Sequence, residues 1–202
     1  IDDGVKERMH LFPNYPPQDW QKAPANSLSN PGRLVYVGAL SLETTYLKEL
    51  VEWVNKQHGT VTLDLYSNNF PETTSRYLSD VGSDVIRFNG GIEYQELPTV
   101  LANYHVGVVL YKGHIPNYIY NVPNKVFEYL AVGLTVWYPA QMKSCKDQFE
   151  TDNCRPQVLP VDFENLSMPE KMLEAASLPV RNSSFFFEKA KEEISAFIEK
   201  HS

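Results

Sequence analysis

From Arg33 onward the chain settles into short apolar runs alternating with amphipathic stretches. Residues 33–37 (RLVYV) are a β-rich apolar run that ends at Gly38. Leu42, Tyr46, Leu47, Leu50, Val51 and Val54 then recur three and four apart, the spacing that lines one face of a helix. Ser41 is the expected N-cap of that helix and His58-Gly59 its stop. Residues 61–66 (VTLDLY) predict a second strand, SNNFP a polar loop, and residues 72–78 a helix. A third strand is expected over 85–88, followed by a helix that buries Leu97, Val100, Leu101 and Tyr104. Residues 106–111 (VGVVLY) are apolar without alternation, as in a strand covered on both faces. A polar and aromatic loop, KGHIPNYIYNVP, leads into a helix over 124–133 and a strand over 134–137. A further strand is expected over 157–161. Two helices then close the chain, the last with Phe187, Ala190, Ile194, Phe197 and Ile198 on one stripe.

Strands and helices that alternate with short links build a parallel sheet covered by helices on both faces. The expected class is therefore α/β, a Rossmann-like doubly wound domain over residues 31–202. Residues 1–30 carry Pro13, Pro16, Pro17 and Pro24 with little periodicity, and the chain starts at Ile1 without a Met. We read them as a linker or extension from a missing N-terminal domain.

Composition narrows the function classes. The chain is 43 % apolar and 21 % charged, which excludes wholesale disorder. Eighteen Lys and Arg against twenty-five Asp and Glu leave a net charge of −7, with no basic run. Nucleic acids and anionic membranes need clustered positive charge, so neither is an expected partner. No apolar run reaches 18 residues, and the start has no signal-peptide pattern, so no transmembrane segment is expected. Cys145 and Cys154 have no Cys or His at metal-ligand spacing and read as two reduced thiols of a cytoplasmic protein. No metal site is expected.

Ligands of such sheets bind beyond the carboxyl ends of the strands, beside helix N-termini. Four loops lie there. Gly38 ends the first strand, either as a simple turn or as a point where a phosphate approaches backbone. Phe88-Asn89-Gly90-Gly91 is a second glycine turn, with exposed amides suited to a flat ring or a phosphate. Tyr111-Lys112-Gly113-His114 offers side chains to a sugar or phosphate, or is a solvated loop. His114 is a candidate catalytic base. The fourth loop, residues 121–137 (NVPNKVFEYLAVGLTVW), is the most informative. Pro123 ends the extended stretch and Asn124 is the expected helix cap. Lys125 falls in the first helical turn, where a cation adds to the positive end of the helix dipole. A bound anion such as a diphosphate would offset that cost. Glu128, three residues on, shares the face of Lys125 and is placed to accept hydrogen bonds from a pair of hydroxyls; a solvated Lys–Glu pair is the plainer alternative.

These residues carry a resemblance. Pro123, Lys125, Glu128, Tyr129, Ala131, Gly133 and Val136 resemble the "P-x-K-x-x-E-Y-x-A-x-G-x-P-V" run of the nucleotide-sugar-binding C-terminal domain of GT-B glycosyltransferases, of the group 1 type. Gly90, Glu96, Leu97, Pro98, Leu101, Val106, Gly107 and Tyr111 are similar to a second run, "G-x-x-x-x-x-E-L-P-x-x-L-x-x-x-D-V-G-L-x-P-Y". The strand ending in Gly38 resembles the opening "V-x-V-G", and LFPNYPP, residues 11–17, the linker after the N-terminal domain. The resemblance implies a glycosyltransferase that takes a nucleoside-diphosphate sugar as donor substrate, with no separate cofactor and no metal. It implies that Glu128 binds ribose hydroxyls, that Lys125 and the helix start at Asn124 face the diphosphate opposite Gly38, and that Asn89-Gly90 lies by the base. A glycan or lipid-linked acceptor would be held by the absent N-terminal domain, leaving this fragment inactive alone. The full-length protein would be cytoplasmic, or peripheral to the inner face of a membrane.

Three positions depart from the pattern. Tyr120 stands where many retaining members carry a second Glu, His105 stands where an Asp precedes the fourth strand, and no Arg or Lys occurs between Gly38 and Tyr46. Donor base, sugar and stereochemistry therefore stay open. So do two other functions: a nucleotide-sugar epimerase of the same architecture, with His114 as its acid–base residue, and a non-catalytic nucleotide-binding or interaction domain.

Overall fold

A computed structural model describes residues 14–22, 32–151, 153–169, 178–181 and 185–201. Six strands form one sheet: β1 (Gly32–Val37), β2 (Val61–Tyr66), β3 (Ile86–Phe88), β4 (Val106–Val108), β5 (Thr135–Pro139) and β6 (Val158–Val161). Their order is β3-β2-β1-β4-β5-β6, and every neighbouring pair is parallel. The order runs outward from β1 one way and from β4 the other, so the chain reverses its winding between these two strands. A crevice opens at such a switch point because the connections leave β1 and β4 toward opposite faces.

Side-chain alternation divides the core. Leu34 and Tyr36 of β1, with Leu63 and Leu65 of β2, face the layer built by α1 (Leu47–Asn55) and α2 (Glu72–Val81). Val35 and Val136 face the other layer, built by α3 (Leu97–Leu101), α5 (Asn124–Ala131) and α6 (Lys143–Phe149). A short helix, α4 (Pro116–Tyr120), lies in the long connection after β4, and α7 (Phe187–His201) ends the chain. Among the described residues, no helix is long and apolar enough to cross a membrane.

The expected helix after β1 begins later than its apolar spacing suggests. The Ser41 hydroxyl accepts from the amides of Glu43 and Thr44 at 3.2 and 3.3 Å, so it caps a turn and not the helix, which starts at Leu47. His58 and Gly59 do end that segment, both in the left-handed region at φ 51° and 86°. Two helices, α4 and α6, were not expected. Both are short and rich in polar and aromatic residues. The first of the two closing helices falls outside the described residues.

Part of the proline-rich N-terminal stretch is packed on the domain. Trp20 is buried with its ring 4.7 Å from that of Tyr94, and the Lys22 amide donates to the Ala131 carbonyl at the end of α5. Tyr15 meets Phe127 of α5 and Phe185 edge-on at 4.6 and 5.5 Å. The rest of that stretch, including Leu11 and Phe12 of the expected linker motif, lies outside the described residues.

Candidate functional site

The site grows from the way α5 is seated on β4. Gly107 lies under the ring of Tyr129: a Cβ at Gly107 would come 2.2 Å from that ring. The absent side chain lets the helix descend onto the sheet, and the Tyr129 hydroxyl accepts the Val37 amide of β1 at 3.1 Å. The helix therefore bridges both strands of the switch point, with its first turn at the carboxyl edge of the sheet. Pro123 takes the N-cap position with φ −68° and ψ 146°, so Asn124 is the first helical residue and exposed. This corrects the expectation that Asn124 caps the helix: the proline ring suits the extended backbone just before the first turn, which moves Asn124 one place inward. No side chain caps this N-terminus. Its leading amides face the crevice with the positive end of the helix dipole.

Lys125 reaches from this turn into the crevice and is only 9 % exposed. Its ammonium lies 4.3 Å from the centre of the Tyr36 ring and 5.0 Å from that of Tyr111, so two aromatic faces, from β1 and from the stretch just beyond β4, hold it. Tyr36 is fixed by its hydroxyl, which donates to the Ala39 carbonyl at 2.5 Å. Tyr111 stacks on Tyr118 of α4, 4.7 Å apart and 10° from parallel. A third side is Gly38 at φ 140°, where a Cβ would come 2.7 Å from the ammonium. Among the described residues, the Lys125 nitrogen makes no ion pair and no hydrogen bond. Burial lowers its pKa to about 8, with Glu128 pulling the other way. Burial also raises the Glu128 carboxyl above the usual range, with Lys125 opposing. Glu128 is half-buried on the same helix, and its charge reaches the phenols of Tyr94, Tyr111 and Tyr129.

The structure brings Gly38, Pro123, Asn124, Lys125 and Glu128 together at the switch point. Asn89 and Gly90 sit at the same sheet edge, two strands away. The Gly90 carbonyl accepts the Ser67 amide at 2.7 Å, and the Tyr66 carbonyl accepts the Gly38 amide at 3.0 Å, which ties that turn to the first loop through the end of β2. Lys112 turns aside: its ammonium lies 3.1 Å from Glu49 of α1 and donates to the Leu42 carbonyl. His114 is exposed and meets Tyr118 edge-on at 5.9 Å. Tyr120 is 61 % exposed, with the Lys143 ammonium 3.4 Å from its hydroxyl. His105 belongs to the opposite edge of the sheet, where its Nδ1 accepts the Arg33 amide at 2.9 Å and clasps the starts of β1 and β4.

Sequence reasoning named Tyr111 as part of a loop facing a sugar or phosphate but missed Tyr36 and the cage the two form. A Tyr one residue before the end of an apolar strand, with a glycine just beyond, is the signal that Tyr36 offered. Chemically, an ammonium held between aromatic faces, beside free helix amides and a carboxylate, suits a ligand with an anionic part next to hydroxyl groups.

No protein-family model and no curated protein sequence matches the chain. Solved structures do. HepE from Anabaena, in complex with UDP and glucose, superposes with a TM-score of 0.66 at 10 % identity, over 95 % of this chain and 57 % of that one. The lipopolysaccharide outer core galactosyltransferase WaaB, in its apo form, gives 0.60 at 12 % over 96 % and 56 %. AviGT4, a glycosyltransferase involved in avilamycin A biosynthesis, gives 0.59 at 12 % over 99 % and 59 %. This chain thus has the fold of a Rossmann-like α/β domain of the GT-B glycosyltransferases, and it spans little more than half the length of these three proteins.

Proposed function

We propose that the chain is the donor-binding domain of a glycosyltransferase, and that it holds a nucleoside-diphosphate sugar at the switch point. The observation that carries this reading is Lys125: a cation nine-tenths buried, with no carboxylate paired to it among the described residues, aimed into the crevice between β1 and β4 beside uncapped helix amides. Burying an unpaired charge is costly, and a diphosphate would offset that cost by pairing with both the ammonium and the amides. Glu128, on the same face, accepts hydrogen bonds from the ribose hydroxyls, and the Asn89-Gly90 turn borders the base. The fold of three solved glycosyltransferase-type structures supports the same assignment, and HepE was crystallised with UDP. Transfer of the sugar would need an acceptor-holding domain beyond this chain. His105 does not weaken the reading, because it works in the clasp at the far edge of the sheet.

The test is a calorimetric and thermal-shift titration with UDP, GDP, ADP and CDP, run beside Glu128→Ala. One nucleotide should raise the melting temperature of the parent and lose most of that effect in the variant. A response to none of the four, on this chain and on a full-length protein alike, would sink the proposal.

A further inference from the structure

Lys125 is nine-tenths buried, and among the described residues the groups packed around it form no ion pair with its ammonium, which stays open toward the crevice. From β1 comes the face of Tyr36, from just beyond β4 the face of Tyr111, and from α4 Tyr118 stacked behind it. From α5 itself come Tyr129, committed to the Val37 amide, and Glu128, half-buried one turn along. A further wall is the backbone at Gly38. Three of these four phenols are themselves pushed above their ordinary range by burial, so none of the three supplies a negative charge below pH 9. Among the described residues Glu128 is the one carboxylate with influence here, and it forms no ion pair with the ammonium. Burial without an ion pair loosens the proton of this ammonium, against the ring faces and Glu128, which favour the charged form, and an arriving anion supplies the missing partner.

We propose that ligand binding at this site is coupled to the uptake of one proton by Lys125, so that the site selects its anion only when the cage lysine is charged. The proposal rests on the donor-site reading above. The direction of coupling follows from linkage. The empty site loses the lysine proton near pH 8, whereas the occupied site keeps it into the ordinary lysine range. Below pH 7 the lysine is already charged and binding takes up almost nothing. Above pH 8 most binding events draw a proton from solution, and affinity falls by up to tenfold per pH unit. Above pH 8 the terminal phosphate of a nucleoside diphosphate is fully ionised and contributes no uptake, whereas at pH 7.0 a residual fraction is protonated and is released on binding.

The experiment is calorimetry of the stabilising nucleotide, among UDP, GDP, ADP and CDP, in two buffers of different ionisation heat at pH 7.0 and at pH 8.5. Uptake in the parent minus uptake in Lys125→Met should rise from about 0.1 proton at pH 7.0 to about 0.75 proton at pH 8.5, the subtraction removing what the nucleotide's own terminal phosphate releases at pH 7.0. Binding with equal uptake at both pH values overturns the coupling and leaves the donor site standing. A rise in uptake as large in Lys125→Met as in the parent assigns the proton to another group and overturns the coupling too. Absence of nucleotide binding at pH 7.0 overturns both.

Discussion

The ring of Tyr129 fills the space a side chain at position 107 would need, and its hydroxyl is tied to the Val37 amide. Through this pair the seat of α5 on the sheet and the position of Lys125 become one structural fact. Gly107→Ala puts a methyl group into a fully buried ring, so it should cost roughly 1–3 kcal/mol of stability, the range for an overpacked core. It should weaken nucleotide binding as well, because the helix carries Lys125 and Glu128 with it. Tyr129→Phe separates the two effects. It leaves one buried amide short of its partner, for about 1 kcal/mol, while the helix keeps its seat and nucleotide affinity stays nearly unchanged. Urea melts and titrations of both variants check this.

Gly38 guards the other side of the cage. At φ 140° a side chain is strained, and a Cβ would lie 2.7 Å from the Lys125 ammonium. Gly38→Ala should therefore push the ammonium off the Tyr36 ring and lower nucleotide affinity, with a loss of about 1 kcal/mol in stability from backbone strain. The expected pattern is a larger change in binding than in melting temperature. The reverse would show that the glycine serves only the turn.

Much of this was legible in the chain itself. The apolar run without alternation at 106–111 marked a strand buried on both faces, and Lys125 in a first helical turn stood out because electrostatics alone disfavours it there. What stayed hidden was non-local. The partner of Lys112 is Glu49, on a helix more than sixty residues earlier, and nothing near Lys112 points to it. The aromatic cage joins Tyr36 and Tyr111 only once β1 and β4 are adjacent. The N-cap assignment failed locally, since Asn124 has the better capping side chain but Pro123 has the backbone geometry that the position requires.

Glu128 and Lys125 should separate stability from binding. Lys125→Met removes a buried cation and keeps its length, so the ligand-free protein should become more stable at pH 7, while nucleotide affinity drops by roughly 1–3 kcal/mol, the range for charge-assisted hydrogen bonds. The sign with pH is fixed. The folded pKa of Lys125 lies below the unfolded value of 10.5, so between about 8 and 10.5 the unfolded chain binds the extra proton and the parent gains stability as pH rises. The advantage of Lys125→Met should therefore shrink steadily from pH 8 to pH 10. Glu128→Gln should also weaken nucleotide binding, without that pH signature.

His105 supplies the contrasting case. Its Nδ1 accepts the Arg33 amide, and its own amide donates to the Arg33 carbonyl, so the residue staples β1 to β4 at the edge away from the crevice. The stapled form needs a bare Nδ1. Burial lowers the histidine pKa, with Arg33 adding to the effect, so the folded state favours neutral imidazole. On acidification the unfolded chain takes up the proton first, and stability should fall as pH drops through about 6.5. His105→Ala should cost about 1–2 kcal/mol at pH 7.5, for the lost bond and the orphaned Arg33 amide. It should also flatten the acid limb of the stability curve. Nucleotide affinity measured at the same pH should match the parent, because no part of the Lys125 cage touches this edge. A parallel loss of affinity would mean that the β1–β4 clasp sets the width of the crevice from the far side of the sheet.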